Sequence, residues 1–184
     1  AMAEYCRSHG ITVSCDLNYR KNLWSTEKAC SVMSRLMKSV DVCIANEEDA
    51  EKVFGITARD TDVSAGSLNT QGYIDVAAQL TGKFSFSVVA ITLRESRSAN
   101  DNVWSAMLYE GGKAYFSRKY EMHIVDRVGG GDSFGAGLIY ARQSGYSAQE
   151  CVEFAAAASC LKHSIQGDFN RVTVEDVQTL IKNG

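Results

Sequence analysis

Residues Ile124–Tyr140 read IVDRVGGGDSFGAGLIY. Three glycines stand before an aspartate, and small and apolar residues of helical character follow at once. Glycine runs cost backbone entropy, so a folded chain keeps them where φ is positive or where another group must come close. Glycines ahead of a helix leave its first N–H groups bare to an anion, and the helix dipole adds to the attraction. The stretch therefore predicts an anion-binding turn at Gly129, Gly130 and Gly131, opening a helix from Asp132 to about Gln143. Asp132 admits two readings. It is either an N-cap, or a carboxylate that takes a proton from a hydroxyl while backbone amides hold developing phosphate charge. No Gly-Lys-Ser/Thr follows, so the turn is not a Walker A loop.

Outward from this stretch, short β-branched runs alternate with longer amphipathic ones, the pattern of β-α units on a mainly parallel sheet with helices on both faces. Ile11–Cys15 and Val42–Ala45 read as strands, and Phe86–Leu93 as a fully buried one. Thr26–Val40 has helical spacing with Ser25 as N-cap. Glu47–Phe54 reads as a short helix closed by Gly55, and Gln71–Leu80 as one closed near Gly82. Trp104–Tyr109 and Ala114–Arg118 flank Glu110, Gly111 and Gly112 as an antiparallel hairpin. Helices are expected from about Ala148 to Lys162 and from about Val174 to Lys182, the latter opened by Thr173. Thr57–Thr70, polar and rich in small residues, is the expected mobile loop. The opening AMAEYCRSHG reads as the last turns of a helix, which points to an upstream part outside this sequence.

The 184 residues, 45% hydrophobic and 22% charged, suit one globular domain over the whole chain. Nineteen basic against 22 acidic residues leave a formal charge of −3, no excess of cation for nucleic acid and no Lys/Arg run for an anionic membrane. No apolar run approaches the ~20 residues of a membrane span, and the N-terminus lacks the pattern of a signal peptide. A cytoplasmic protein is expected. The six cysteines are dispersed with no C-x-x-C pair, which favours reduced core thiols over a zinc site or disulfide framework. His9, His123 and His163 do not cluster along the chain.

The string DRVGGGDSFGAGLI resembles the C-terminal signature of the ribokinase-like (PfkB) sugar kinases, with Arg127 departing from the usual small residue at the second place. The resemblance implies a three-layer α/β/α ribokinase-like fold of which this chain holds the C-terminal, nucleotide-binding and catalytic part. The upstream region and lid of the family are not visible in it. By resemblance Asp132 is the catalytic base and contacts the sugar, Gly129–Gly131 hold the transferred phosphoryl group, and Asp126 lies near a potassium site in members that use one. ANEEDAEKVFGI resembles the family's NxxE region, so Asn46, Glu48 and Asp49 would hold magnesium through waters. A solvated helix start with acidic residues favoured by the dipole explains the same string.

SCDLNYRKNLW places Asn18, Tyr19 and Arg20 directly after a strand, where α/β folds bind ligands. It resembles the D-x-N-x-R-x-x-L-W stretch of 2-keto-3-deoxygluconate kinases, whose arginine lies between sugar acid and phosphate. Arg20 suits a bidentate pair with a carboxylate or a phosphate, which a neutral-sugar kinase has less reason to provide, and a surface arginine after a turn explains the same residue. Asp168 in QGDFN is a sugar contact by resemblance or else a turn residue. Leu93, Arg94, Glu95 and Ser96 occupy the place of the nucleotide loop, and Ala155–Ala158 serve close approach of adenine or simple helix packing. The implied activity is ATP-dependent, magnesium-assisted phosphorylation of 2-keto-3-deoxygluconate, with ATP and a sugar acid as small-molecule partners and a homodimer of the complete protein as in lid-bearing relatives. A fructokinase or ribokinase type fits the glycine motif equally, and a non-catalytic nucleotide-binding module is the reading outside the enzyme class.

Overall fold

The structure, a computed structural model, describes residues 1–46, 48–57 and 70–183. The chain divides into two units, Ala1–Ile91 with Tyr109–Ala114, and Thr92–Leu108 with Tyr115–Gly184.

In the first unit the elements run α1 (Met2–Ser8), β1 (Ser14–Asp16), α2 (Thr26–Leu36) with a 3-10 turn (Met37–Ser39), β2 (Val42–Asn46), α3 (Asp49–Phe54), α4 (Thr70–Phe84) and the start of β3 (Val88–Ser96). β1 and β2 are parallel, with Ser14 opposite Val42 and Asp16 opposite Ile44, and β3 is the next neighbour of β2. β1 is shorter than the apolar run Ile11–Cys15 suggests, because the Val13 amide donates to the Asp41 carboxylate at 2.8 Å instead of joining the ladder. Ser25 caps α2 as expected, accepting from the Lys28 amide at 3.3 Å. The helix tightens at Met37, which with Val40 turns into the core. α3 starts at Asp49 and closes on Gly55 at φ 67°, while Glu47 lies outside the described residues.

α4 runs to Phe84 and passes through Gly82, which the sequence suggested as its end. An interior glycine costs about 1 kcal/mol against alanine. Burying Phe84, which is 5% exposed, contributes about 1.5–3 kcal/mol and outweighs that cost. The left-handed residue that closes the helix is Ser85, at φ 61°. Phe84 lies in tilted contact with Phe54 at 4.8 Å and Phe86 at 5.4 Å, with the Lys83 ammonium over the Phe54 and Phe84 rings. Residues 58–69 of the loop expected between Thr57 and Thr70 lie outside the described residues.

The second unit holds the rest of β3, then β4 (Asp101–Glu110), β5 (Lys113–Phe116), β6 (Tyr120–His123), α5 (Gly130–Gln143), α6 (Ala148–Lys162) and α7 (Val174–Asn183). β4 lies between β3 and β5, and β6 pairs antiparallel with it, Asp101 opposite His123 and Trp104 opposite Tyr120. The β4–β5 turn is the expected hairpin, with Gly111 and Gly112 at φ 58° and 79°, the paired left-handed geometry of a two-residue turn that matches strand twist. Asn102–Leu108 are buried without interruption, so β4 is covered on both faces. β3 continues to Ser96, so the expected nucleotide loop Leu93–Ser96 is strand.

α6 opens with a reciprocal capping box between Ser147 and Glu150. Ala155–Ala158 are buried. A methyl group on Gly137 of α5 would fall 3.1 Å from the Ala155 Cα and 3.2 Å from the Ala158 Cβ. Close α5–α6 packing therefore accounts for the alanine run. Thr173 and Asp176 bond reciprocally at the start of α7, the Asp176 carboxylate accepting from the Thr173 amide at 2.9 Å and the Thr173 hydroxyl from the Asp176 amide at 3.2 Å.

Candidate active site

The three glycines at the start of α5, one at its N-cap and two in its first turn where the sequence reading opened the helix at Asp132, have three different reasons to be glycine. Gly129 takes φ 78° at the N-cap position, and a Cβ there would fall 2.6 Å from the Asp168 carbonyl oxygen and 3.2 Å from the Lys162 Cε. Gly130 has an ordinary φ, but its Cβ would fall 2.4 Å from Cε1 of the buried His163 ring. Gly131 has neither constraint, since among the described residues nothing beyond its chain neighbours and the backbone of its own helix lies within 4 Å of the place its Cβ would take. Only at this last glycine do the protein's own atoms leave the open space unexplained.

Asp126 fastens this turn. Its carboxylate accepts from the Val128 amide at 3.0 Å and from the Gly167 amide at 2.8 Å, tying the turn to the segment that carries Asp168. These two bonds, Val128 first, hold the Asp126 carboxyl below the usual carboxylate range, with a further contribution from the Lys162 charge. From α5, the Ser133 hydroxyl accepts from the Asn170 side chain at 3.0 Å, and the Gly130 carbonyl accepts from the Ser159 hydroxyl at 2.8 Å. The Arg127 guanidinium donates to the Ala99 carbonyl. The structure thus brings Asp126, Gly129–Gly131, Asp132 and Asp168 to one end of the second unit.

Asp132 is the third residue of α5, and Gly129 holds the N-cap place that was one of its two readings. Its side chain is exposed, and among the described residues no group hydrogen-bonds it. An uncommitted carboxylate in the first turn of a helix, beside amides that can hold an anion, has the parts for general base catalysis.

Lys162 and His163 were not singled out from the sequence. A lysine in the last turn of a helix reads as an exposed partner of the dipole, yet Lys162 is 0% exposed and donates to the Ile165 carbonyl at 3.1 Å. The His163 Nδ1–H donates to the Ser159 carbonyl at 2.7 Å and the ring lies 5.0 Å from Trp104. Burial is the main cause that lowers its pKa, and the Lys162, Arg127 and Arg94 charges act the same way. In β3, Leu93 is buried, Arg94 and Ser96 are exposed, Glu95 pairs with Lys119 at 2.5 Å, and the Ser96 hydroxyl donates to Asn102 at 3.0 Å.

The first unit carries the other candidates. Asp16 accepts from the Asn18 amide at 3.1 Å, and Asn18 takes φ 40°, so the chain leaves β1 in an Asx-type turn. Leu17 is buried, the Tyr19 hydroxyl donates to the Trp24 carbonyl at 3.3 Å, and Arg20 is exposed. The Tyr19 amide donates to Asp49 at 3.1 Å. Asp49, 3% exposed, also accepts from the Asn46 amide at 3.2 Å, while the Asn46 side chain accepts from the Glu48 and Asp49 amides at 2.9 and 3.0 Å. Burial pushes the Asp49 carboxyl above its ordinary range against the pull of these amides and of Arg20. Asn46 and Asp49 thus cap α3 reciprocally and strap the Tyr19–Arg20 loop, with Asp49 buried and Asn46 and Glu48 exposed. Among the described residues no group of three or more His, Cys, Asp or Glu side chains is placed to hold a metal directly.

Beside Asp126, where the resemblance implies a potassium ion, each carboxylate oxygen accepts one amide, and the neighbouring Ile165 carbonyl is engaged by a lysine that already brings a positive charge there.

Residues 1–170 match the model of the pfkB family carbohydrate kinases. The crystal structure of 2-dehydro-3-deoxygluconokinase from Thermotoga maritima is similar at a TM-score of 0.91 and 50% identity, over 98% of this chain and 53% of that one. A PfkB family carbohydrate kinase from Listeria grayi is similar at 0.85 and 31% identity, over 99% and 53%. A curated 2-dehydro-3-deoxygalactonokinase of Haloferax volcanii is 30% identical over 95% of this chain and 48% of its own length. The chain spans about half the length of these relatives. With a family model that matches nearly its whole length, the chain belongs to the pfkB family of carbohydrate kinases, and its fold is ribokinase-like.

Proposed function

We propose that the full-length protein is an ATP-dependent kinase that phosphorylates the 6-hydroxyl of 2-keto-3-deoxygluconate, with residues 1–184 as its nucleotide-binding and catalytic part. The observation that carries the reading is the exposed, uncommitted Asp132 directly after a glycine turn whose last member, Gly131, faces open space. Asp132 takes the proton of the attacking hydroxyl. The amides of Gly131 and Asp132 in the first turn of α5, aided by its dipole, hold the charge of the phosphoryl group in flight, while the Gly130 amide donates to the Arg127 carbonyl at 3.4 Å. Phosphoryl transfer needs little else from a protein beyond positioning and charge stabilisation.

Asp168, beside Gly129, is the sugar contact on this unit, and Arg94 and Ser96 are the exposed members of the nucleotide-adjacent stretch. Magnesium, when bound with ATP, neutralises phosphate charge. Asn46, Glu48 and Asp49 would reach it through its waters, since the oxygens of Asn46 and Asp49 already accept backbone amides. Arg20 keeps its guanidinium exposed, with one bond to the Tyr19 carbonyl at 3.1 Å, and is available to a carboxylate fork to fork. The 50% identity to a 2-dehydro-3-deoxygluconokinase supports the same sugar acid. A neutral or phosphorylated sugar is the second reading, favoured by 23% identity to an ATP-dependent 6-phosphofructokinase of Thermoanaerobacterium thermosaccharolyticum.

Replacing Asp132 tests the mechanism. In the full-length protein Asp132→Asn should lower kcat on the order of 10²–10⁴ with nucleotide affinity retained. Unchanged turnover would remove Asp132 from the base role.

A further inference from the structure

Lys162 presents a problem that the kinase reading does not absorb. Its side chain is 0% exposed, at the last residue of α6, and its ammonium makes one hydrogen bond among the described residues, to the Ile165 carbonyl at 3.1 Å. An ammonium has three donors, and a buried charge without compensation is expensive. A lysine that served only the α6 dipole could do so from the surface. Instead its stem runs inward until Cε lies 3.2 Å from where a Gly129 Cβ would stand. The charge is thereby lodged next to the anion-binding turn and near Asp126, whose carboxylate bridges the Val128 and Gly167 amides on either side of it.

Resting on the reading of this turn as a phosphoryl-binding hole, we infer that Lys162 is a tethered cation that does the work of a bound monovalent metal ion, so that turnover needs no potassium. The anion over the glycine turn completes the compensation that the single carbonyl bond leaves unfinished. In the absence of that anion, the lysine charge still favours the ionised form of Asp126, and the Asp168 carboxylate lies against the same Gly129 position, 3.1 Å from where its Cβ would stand. Gly129 has a second reason to be glycine, because any side chain there would displace the lysine stem as well as the Asp168 backbone.

The test uses the full-length protein in buffers of equal ionic strength made with potassium, sodium or choline chloride. Wild-type kcat and melting midpoint, with and without ATP, should be the same in all three. Lys162→Met should lose on the order of 10² in kcat, and potassium or methylammonium, but not choline, should restore a measurable part. That selective rescue is not expected of a lysine that merely packs. Three results would overturn the inference: a wild-type rate or melting midpoint raised by potassium alone, a folded Lys162→Met protein with full turnover, or a loss that neither small cation rescues. Should the variant fail to fold, the wild-type comparison decides. The melting comparison reads the cation site even if no sugar is phosphorylated, so a failure of the kinase reading is told apart from a failure of this one.

Discussion

Alanine at Gly130 and at Gly131, adjacent residues of one helical turn, should have opposite effects on stability, and only the second should act on catalysis alone. At Gly130 the new methyl would stand 2.4 Å from His163 Cε1 and 2.6 Å from Nε2, closer than carbon atoms approach without displacement. The ring cannot swing away freely. Its Nδ1–H is bonded to the Ser159 carbonyl at 2.7 Å, Trp104 lies 5.0 Å away, and the His163 carbonyl accepts the Val125 and Asp126 amides at 2.9 and 3.2 Å. Overpacking of this kind costs about 1–3 kcal/mol. At Gly131 nothing among the described residues beyond its chain neighbours and its own helix backbone lies within 4 Å of the new methyl, and φ is ordinary. Helix propensity there favours alanine by up to about 1 kcal/mol. Urea melts of the full-length variants, with equal slopes, should thus show Gly130→Ala destabilised and Gly131→Ala unchanged or slightly more stable. Phosphoryl-transfer assays on the same samples should show Gly131→Ala impaired by about tenfold or more, because its methyl enters the space assigned to the phosphoryl group, and about 1.4 kcal/mol of lost transition-state binding suffices for that. A Gly131→Ala enzyme with full turnover would refute the placement of the hole. An unshifted melt for Gly130→Ala would refute the rigid His163 contact.

Two other expectations concern residues away from the reacting atoms. Asp49→Ala removes the acceptor of the Tyr19 amide, so the loop carrying Arg20 loosens; steady-state kinetics at saturating magnesium should show KM for the sugar acid raised, beside any fall in kcat from the lost magnesium contact, and an unchanged KM would deny Asp49 a part in holding the loop. Burial lowers the His163 pKa, so the folded ring stays neutral where the unfolded ring takes up a proton, and stability is complete above the unfolded value and declines as pH falls from about 6.5 toward the folded one. Melting midpoints followed from neutral to mildly acid pH should therefore fall less steeply for His163→Gln than for the wild type, and parallel slopes would assign the acid sensitivity elsewhere.

The glycine run, the two capped helices α2 and α7 and the paired glycines of the hairpin were legible because each is written in local sequence. What escaped depends on residues far apart. Gly130 owes its identity to His163, 33 positions later, and nothing in GGGD distinguishes it from Gly131. Gly82 reads as a stop, but the aromatic cluster around Phe84 carries the helix past it. The strand β6 is four residues long and shows its role only in pairing with β4. Lys162 looked like an ordinary last-turn lysine, since burial is not written in residue type. Asp49 could be read as a metal-motif residue from its spacing to Asn46, yet its bond to the Tyr19 amide crosses 30 residues and joins two motifs that the sequence presents separately.

The most direct test of the central claim is ATP consumption by the full-length protein, with magnesium, on 2-keto-3-deoxygluconate beside fructose and ribose, for the wild type and Arg20→Ala. The account predicts a strong preference for the sugar acid, which Arg20→Ala reduces by about tenfold or more through loss of a charge-assisted pair of roughly 1.5–3 kcal/mol. Equal or better turnover of a neutral sugar, or an acid preference untouched by Arg20→Ala, would contradict it.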